Sequence, residues 1–110
     1  MEGTWSSPGD RRTEGIGLSD LGGVLRKAGQ FRDAITACQR AVAIFHQLGD
    51  QYNEGKALEN LGVGLLIAGR PVDAATAFQE ALAIFHQLED QQSEGMVLSN
   101  LEAARAVLLM

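Results

Sequence analysis

The sequence predicts an all-α protein, an α-solenoid of antiparallel helix hairpins, from its composition, its periodicity and an internal duplication. Only 5% of the 110 residues are aromatic, and proline occurs only at Pro8 and Pro71, a composition that favours helices over strands. Apolar residues recur with a period near 3.6, which is typical of amphipathic helices. Residues 11–50 return as residues 51–90, so each structural element is expected twice.

The duplication defines the predicted domain organisation. An ungapped alignment of residues 11–50 with 51–90 gives 21 identities in 40 positions, and the hexapeptide AIFHQL occurs in both copies. A third copy begins at Gln91, where Gln91–Leu101 matches the start of the second copy at six of eleven positions. We therefore predict one repeat domain over residues 11–110, with two complete units and a capping helix at 91–110.

Each unit is interrupted once near its middle, which predicts two helices per unit. In the second unit, Asp50 is a favourable N-cap, Gly69 a favourable stop, and Pro71 a favourable first residue of the next helix. Asp10 and Asp90 repeat the N-cap in the other copies. The five predicted helices cover about 11–28, 31–48, 51–68, 71–88 and 91–109, after a mobile N-terminal tail of residues 1–10.

Two glycines inside the first helices predict close helix packing. Gly22 and Gly62 occupy equivalent positions, and glycine in a helix interior costs about 0.5–1 kcal/mol relative to alanine. Small residues follow at the same distance in the second helices, at Ala34 and Ala74. We expect the two helices of each unit to approach closely along these residues.

Composition also excludes several classes of function. The net charge is −5 and the pI is near 4.9, so neither nucleic acid nor an anionic membrane is an expected partner. There is no apolar run near the roughly 20 residues of a membrane helix and no secretory signal pattern. The single cysteine, Cys38, cannot form an internal disulfide. We expect a cytoplasmic protein with no cofactor.

The repeated hexapeptide places His46 and His86 in identical settings. Such a pair indicates either a shared ligand or catalytic site, or one helix end that has been copied. A zinc site needs three or four ligands, and eight helical residues separate Cys38 from His46 by about 12 Å. We therefore interpret the histidines as copied helix ends, with no metal site and no catalytic residues, and we do not expect an enzyme.

The spacing resembles the tetratricopeptide repeat signature W-x₂-L-G-x₂-Y…A-x₃-F…P. The aromatic positions and the terminal proline differ, and the period is forty residues instead of 34. The longer period is similar to the extended repeats of kinesin light chains, spindle-orientation adaptors and actinobacterial regulators. The resemblance implies a right-handed solenoid that binds proteins or peptides without catalysis. The matching residues are Leu18, Leu21, Gly22, Leu25, Ala34, Cys38 and Ala41, and again Leu58, Leu61, Gly62, Leu65, Ala74, Phe78 and Ala81.

In stacked hairpins the first helix of every unit lines the concave surface, and residues at equal phase form rows along it. One row contains Asp20, Asn60 and Asn100. An asparagine side chain offers both a donor and an acceptor to a peptide amide, although an ordinary exposed polar face would have the same pattern. The resemblance favours ligand contact, since extended repeats commonly use an asparagine here. The predicted peptide-binding groove consists of Asp20, Asn60, Asn100, Lys56, Val63, Leu66 and Ile67.

These observations predict a non-catalytic interaction module that binds a peptide segment of a partner protein. The alternative is a self-associating structural module, or a fragment of a larger regulator with tetratricopeptide repeats. We expect a monomer or a weak homodimer. Chaperone-binding relatives hold a C-terminal carboxylate with basic residues, whereas Ser19, Glu59 and Ser99 stand beside the predicted row, so that ligand is not expected.

Overall fold

The structure, a computed structural model, describes residues 8–110, and of Pro8 only the backbone. This part of the chain forms five α-helices and no strand, which confirms the predicted fold class. None of these helices is long and apolar enough to cross a bilayer. The helices are α1 (Pro8–Lys27), α2 (Phe31–Leu48), α3 (Gln51–Ile67), α4 (Pro71–Gln87) and α5 (Gln91–Leu108).

The start of α1 corrects the predicted boundary of the tail. The helix begins at Pro8, not at residue 11, so Asp10 lies in its first turn instead of capping it. Proline suits a first helical position because the amide hydrogen that it lacks would have no helical partner there. The carboxylate of Asp10 is then favourably placed near the positive end of the helix dipole. Residues 1–7 of the predicted tail lie outside the described residues.

Residues with left-handed backbone conformation end the first three helices, as predicted for Gly69. Gly29, Gly49 and Gly69 have φ values of 81°, 68° and 82°. The amide of the next residue then bonds back to the helix, as in the bond of 2.8 Å from Arg70 N to Leu65 O. At the end of α4 the same place is taken by Glu89, with φ of 59°, a conformation that is uncommon for a residue with a side chain.

Aspartate side chains cap α3 and α5, as the sequence predicts. Asp50 accepts a hydrogen bond from the backbone amide of Asn53 at 3.2 Å, and Asp90 accepts one from that of Ser93 at 3.1 Å. Burial alone would raise the pKa of Asp50, but hydrogen bonds from Asn53 and Arg12 outweigh this effect and lower it. The hydrogen bonds with Ser93 lower the pKa of Asp90. Both caps are therefore strongest when the carboxylate is ionised.

We predict that these two caps make the domain sensitive to acid. A carboxyl group whose pKa is lower in the folded state stabilises the fold fully above its ordinary pKa of about 4, and this stabilisation is lost as the pH falls through the lowered pKa. Asparagine caps helices as well as aspartate but does not titrate. The melting temperature of the wild type, followed by circular dichroism, should fall more between neutral pH and about pH 2 than that of Asp50→Asn/Asp90→Asn. Equal acid profiles for the two proteins would contradict a stabilising role of the ionised caps.

The helices pack as two antiparallel hairpins, α1 with α2 and α3 with α4, and α5 packs on α4. The second helix of the first unit also packs on α3. The first helices contact one another, α1 with α3 and α3 with α5, whereas α2 and α4 have no Cα atoms within 8 Å of each other. The stack therefore curves, with α1, α3 and α5 along its inner side.

Glycines of the first helices receive large side chains of the second helices. A β-carbon added at Gly62 would lie 2.8 Å from Cζ of Phe78, and one added at Gly55 would lie 2.8 Å from Cζ of Phe85. Both phenylalanines are fully buried. Gly22 likewise faces the sulfur of Cys38, with the carbonyl oxygen of Ala34 beside it. The predicted close packing is present, but the glycines chiefly admit Phe78 and Cys38, not the alanines.

Candidate functional site: the inner face

The inner face consists of equivalent positions on α1, α3 and α5. Along each helix these positions are spaced by four, three and four residues. On α3 these positions are Lys56, Asn60, Val63 and Ile67. The corresponding residues of α1 and α5 lie forty positions before and after them. Four rows result: Ile16, Lys56 and Met96; Asp20, Asn60 and Asn100; Gly23, Val63 and Ala103; Lys27, Ile67 and Val107.

Three of the predicted groove residues lie together in one surface depression between α1 and α3. Asp20 is exposed, while Lys56 and Asn60 are half-buried. The depression reaches inward as far as the buried side chain of Phe45. Its lining residues are Ile16, Ser19, Asp20, Phe45, Tyr52, Asn53, Lys56 and Asn60.

The two asparagines each bond to the preceding first helix. Asn60 donates from Nδ2 to Oγ of Ser19 at 3.1 Å, and Asn100 donates from Nδ2 to Oε2 of Glu59 at 3.4 Å. Ser19 and Glu59 are equivalent residues, so the same contact occurs at both junctions. The sequence pattern alone did not predict this contact, although a polar residue immediately precedes each member of the row and was a signal for it.

Lys56 is bound within its own helix. Its Nζ lies 3.7 Å from Oε1 of Glu59, one turn along α3. Glu59 is 8% exposed, and its carboxylate also accepts the hydrogen bond from Asn100. Among the described residues, therefore, the cation of Lys56 already has a carboxylate partner on the inner face.

The predicted apolar groove residues differ in exposure. Val63 and Leu66 are half-buried and pack against the hydrophobic core. Ile67 is 50% exposed, and two apolar residues in the first row, Ile16 and Met96, are 43% and 51% exposed. The exposed apolar surface of the inner face is thus provided mainly by Ile16, Ile67 and Met96, while Val63 and Leu66 support it from below.

Comparison with known proteins identifies the fold family. The sequence profile described as Tetratricopeptide repeat matches residues 14–87, well over half of the chain. The chain belongs to the tetratricopeptide repeat family. The crystal structure of the TPR domain of Arabidopsis FLU is similar, with a TM-score of 0.72 at 22% identity over 87% of this chain and 89% of that chain. At this identity the similarity is one of fold, and no curated protein sequence matches significantly.

Tetratricopeptide repeat domains generally mediate protein–protein interactions, and the family is a non-catalytic repeat scaffold. Cys38 of this domain is buried, and that burial raises the pKa of its thiol, although Arg26 partly lowers it. A protonated, buried thiol is unreactive. In the described part of the chain, no group of three or more His, Cys, Asp or Glu side chains is placed to hold a metal ion.

The repeated histidines of this tetratricopeptide repeat domain join successive units. Nδ1 of His46 lies 3.0 Å from Oε2 of Glu54, and Nδ1 of His86 lies 2.8 Å from Oε2 of Glu94. Each pair links the last turn of a second helix to the first turn of the next helix. The same contact at both places supports the interpretation of the histidines as copied helix ends. The glutamate partner on the next helix was not predicted from the chemistry of helix ends.

Proposed function

We propose that the inner face binds an extended peptide segment of a partner protein, and that the asparagine row contacts the peptide backbone. The main support is the paired state of Asn60 and Asn100. Among the described residues each uses one N–H for the contact with the preceding helix, and neither side-chain oxygen accepts a hydrogen bond from residues 8–110. An asparagine side chain has two donor hydrogens and an acceptor oxygen, so each retains a donor and an acceptor for a ligand.

The contact with the preceding helix also supports this role because it fixes the side chain. A flexible side chain loses conformational entropy when it binds, and a side chain that is already held loses less. Asn60 and Asn100 are half-buried and held in the same manner one repeat apart. They would thus offer two ordered amide groups at the spacing of the repeat, which suits an extended chain with regularly spaced backbone amides.

The rest of the inner face indicates the chemistry of the segment. Ile16, Ile67 and Met96 provide separate apolar contacts on α1, α3 and α5. Asp20 is an exposed acceptor, and Lys56 is engaged by Glu59. We infer a segment that places aliphatic side chains beside the asparagines and that needs no C-terminal carboxylate.

We expect the double variant Asn60→Ala/Asn100→Ala to lose peptide binding while it keeps its fold. Each lost hydrogen bond to a ligand is worth about 0.5–1.5 kcal/mol, so the two together should weaken binding about tenfold or more. Peptides selected from a displayed random library against the wild type provide the ligands, and calorimetric titration measures the affinity. The melting temperature should change little, because alanine is the better helix former at both positions.

The matched control is Gln39→Ala/Gln79→Ala, which removes two exposed amides at equivalent positions of α2 and α4. This variant should bind the selected peptides as the wild type does. If it lost binding while the asparagine variant retained it, the site would lie on the second helices and the proposal would be wrong. A selection that gave no peptide would also count against it.

We further propose that the domain is of the extended tetratricopeptide type and acts in the cytoplasm. The forty-residue period is retained in the helices, since α2 and α4 begin at Phe31 and Pro71, and α3 and α5 at Gln51 and Gln91. A buried, unpaired Cys38 suits a reducing compartment. Peptide contact by the asparagine row would be the functional feature that this domain shares with the extended type.

A further inference from the structure

One face of α5 has no packing partner among the described residues. Gly15 and Gly55 admit the rings of Phe45 and Phe85, but a β-carbon added at the equivalent Gly95 would have nothing within 4 Å. In the second unit, this face of α3 is covered by α4. The uncovered face is distinct from the inner face, which on α5 contains Met96 and Asn100.

Four exposed side chains run along this face and form what we call the α5 stripe. They are Leu98, Glu102 and Arg105 of α5 and Leu109, the C-cap that directly follows the helix, and Leu98 is 41% and Leu109 89% exposed. Arg105 stands at the edge of this face, beside Leu82 and His86 of α4. Their spacing of four, three and four residues is the spacing of the a and d positions of a helical coiled coil. The α5 stripe is therefore arranged to face one other helix.

That other helix cannot dock as α4 docks on α3. Gly62 leaves room for the ring of Phe78, and a β-carbon there would lie less than 3.0 Å from ring atoms. The equivalent residue on α5 is Glu102, which has a long side chain where α3 has a glycine. A helix that covers the α5 stripe must therefore lie farther away and offer a positive charge to Glu102 and a negative charge to Arg105.

A second α5 in antiparallel orientation meets these requirements. In an antiparallel pair, the alignment that places Glu102 opposite Arg105 of the other copy also places Leu98 opposite Leu109. Two pairs of opposite charges then lie between two pairs of leucines. None of the ion pairs within 4.0 Å among the described residues includes Glu102 or Arg105, so both charges are available. We propose that the chain forms a two-fold symmetric dimer through the α5 stripe.

This proposal does not depend on the proposed peptide site, because the inner face remains open in the dimer. The interface between the two α5 stripes is short, and two of its four residue pairs are charged, so the dimer is weak and concentration-dependent. The charge pairs select the antiparallel alignment, since a parallel pair would place each Glu102 beside Glu102 of the other copy. Contact at a single two-fold interface closes the assembly at two copies.

Charge exchange tests the dimer directly. Sedimentation equilibrium of the full chain, from micromolar to millimolar concentration, should show a monomer–dimer equilibrium for the wild type. Glu102→Arg places Arg opposite Arg, and Arg105→Glu places Glu opposite Glu, so each should raise the dimer dissociation constant about tenfold or more. The double variant Glu102→Arg/Arg105→Glu restores opposite charges across the interface and should restore the dimer.

A matched control is Glu80→Arg, which makes the same charge change at an exposed position on α4 and should leave the dissociation constant unchanged. Glu102→Arg brings the net charge of −5 closer to zero, so a general charge effect would strengthen association, not weaken it. All variants change exposed residues, and circular dichroism should show unchanged helicity.

Several results would overturn the proposal. One is a wild type that stays monomeric at millimolar concentration. Another is a dimer that resists both single variants or is not restored in the double variant. A third is association that exceeds two copies, or that is lost in Val24→Lys, where Val24 is a valine of α1 that is 64% exposed. Loss in Val24→Lys would assign the contact to α1 instead of α5.

Discussion

Truncation of Phe85 to alanine is expected to unfold much of the domain. The ring is 0% exposed, it occupies the space left by Gly55, and Tyr52 contacts it edge-on at a centroid distance of 6.1 Å. Truncation of a buried phenylalanine costs about 3–5 kcal/mol, a large share of the roughly 5–15 kcal/mol that stabilises a typical domain. Urea denaturation followed by circular dichroism should show this loss as a lower midpoint, or as a chain unfolded without denaturant.

The control for this variant lies on the same helix. Val72 of α4 is 63% exposed, and Val72→Ala should change the free energy of unfolding by no more than about 0.5 kcal/mol. A Phe85→Ala protein as stable as the Val72→Ala protein would show that Phe85 does not hold α4 to α3. The glycine contacts would then have no energetic importance for the stack.

The second large loss of stability is expected from Gly62→Leu. The new side chain would start less than 3.0 Å from the ring of Phe78, which is itself fully buried. Inserting extra carbons into a packed interior costs about 1–3 kcal/mol and occasionally more. The melting temperature should therefore fall even though leucine is a better helix former than glycine.

Gly23→Leu separates overpacking from helix propensity. Gly23 is also inside a helix, but a β-carbon there would have nothing within 4 Å, and Val63 stands at the equivalent position of α3. This control should gain about 0.5–1 kcal/mol from helix propensity alone. If both leucine variants were equally stable, the close approach of α3 and α4 at Gly62 would not be a packing requirement.

The fold could be predicted well from the sequence because each structural signal occurs in more than one copy of the repeat. Asp50 and Asp90 cap helices, and Gly29 and Gly69 end them, as local chemistry requires. The start of α1 was predicted three residues too late, since Asp10 matched the register of the other caps while Pro8 is also a favourable helix start. Local sequence patterns thus predict that a helix is present more reliably than they predict the residue at which it begins.

The contacts of the site were harder to predict because they join residues about one repeat apart. The row of Asp20, Asn60 and Asn100 followed from the period, but the bonds of the asparagines to Ser19 and Glu59 depend on how α1, α3 and α5 stack. Likewise, the sequence indicated that Gly62 needs a close neighbour without showing that the neighbour is Phe78 instead of Ala74. The spacing of residues along the chain predicts which of them share a face of a helix. Which residue of a neighbouring helix each one contacts depends on how the two helices pack.

The most direct test of the proposed function uses the side-chain amide signals of the protein itself. A selected peptide is added to uniformly ¹⁵N-labelled protein, and the side-chain NH₂ resonances of asparagine and glutamine are followed by NMR. We predict that the signals of Asn60 and Asn100 shift in proportion to occupancy, while those of Gln39 and Gln79 stay in place. Shifts of Gln39 and Gln79, with Asn60 and Asn100 unchanged, would contradict binding on the inner face.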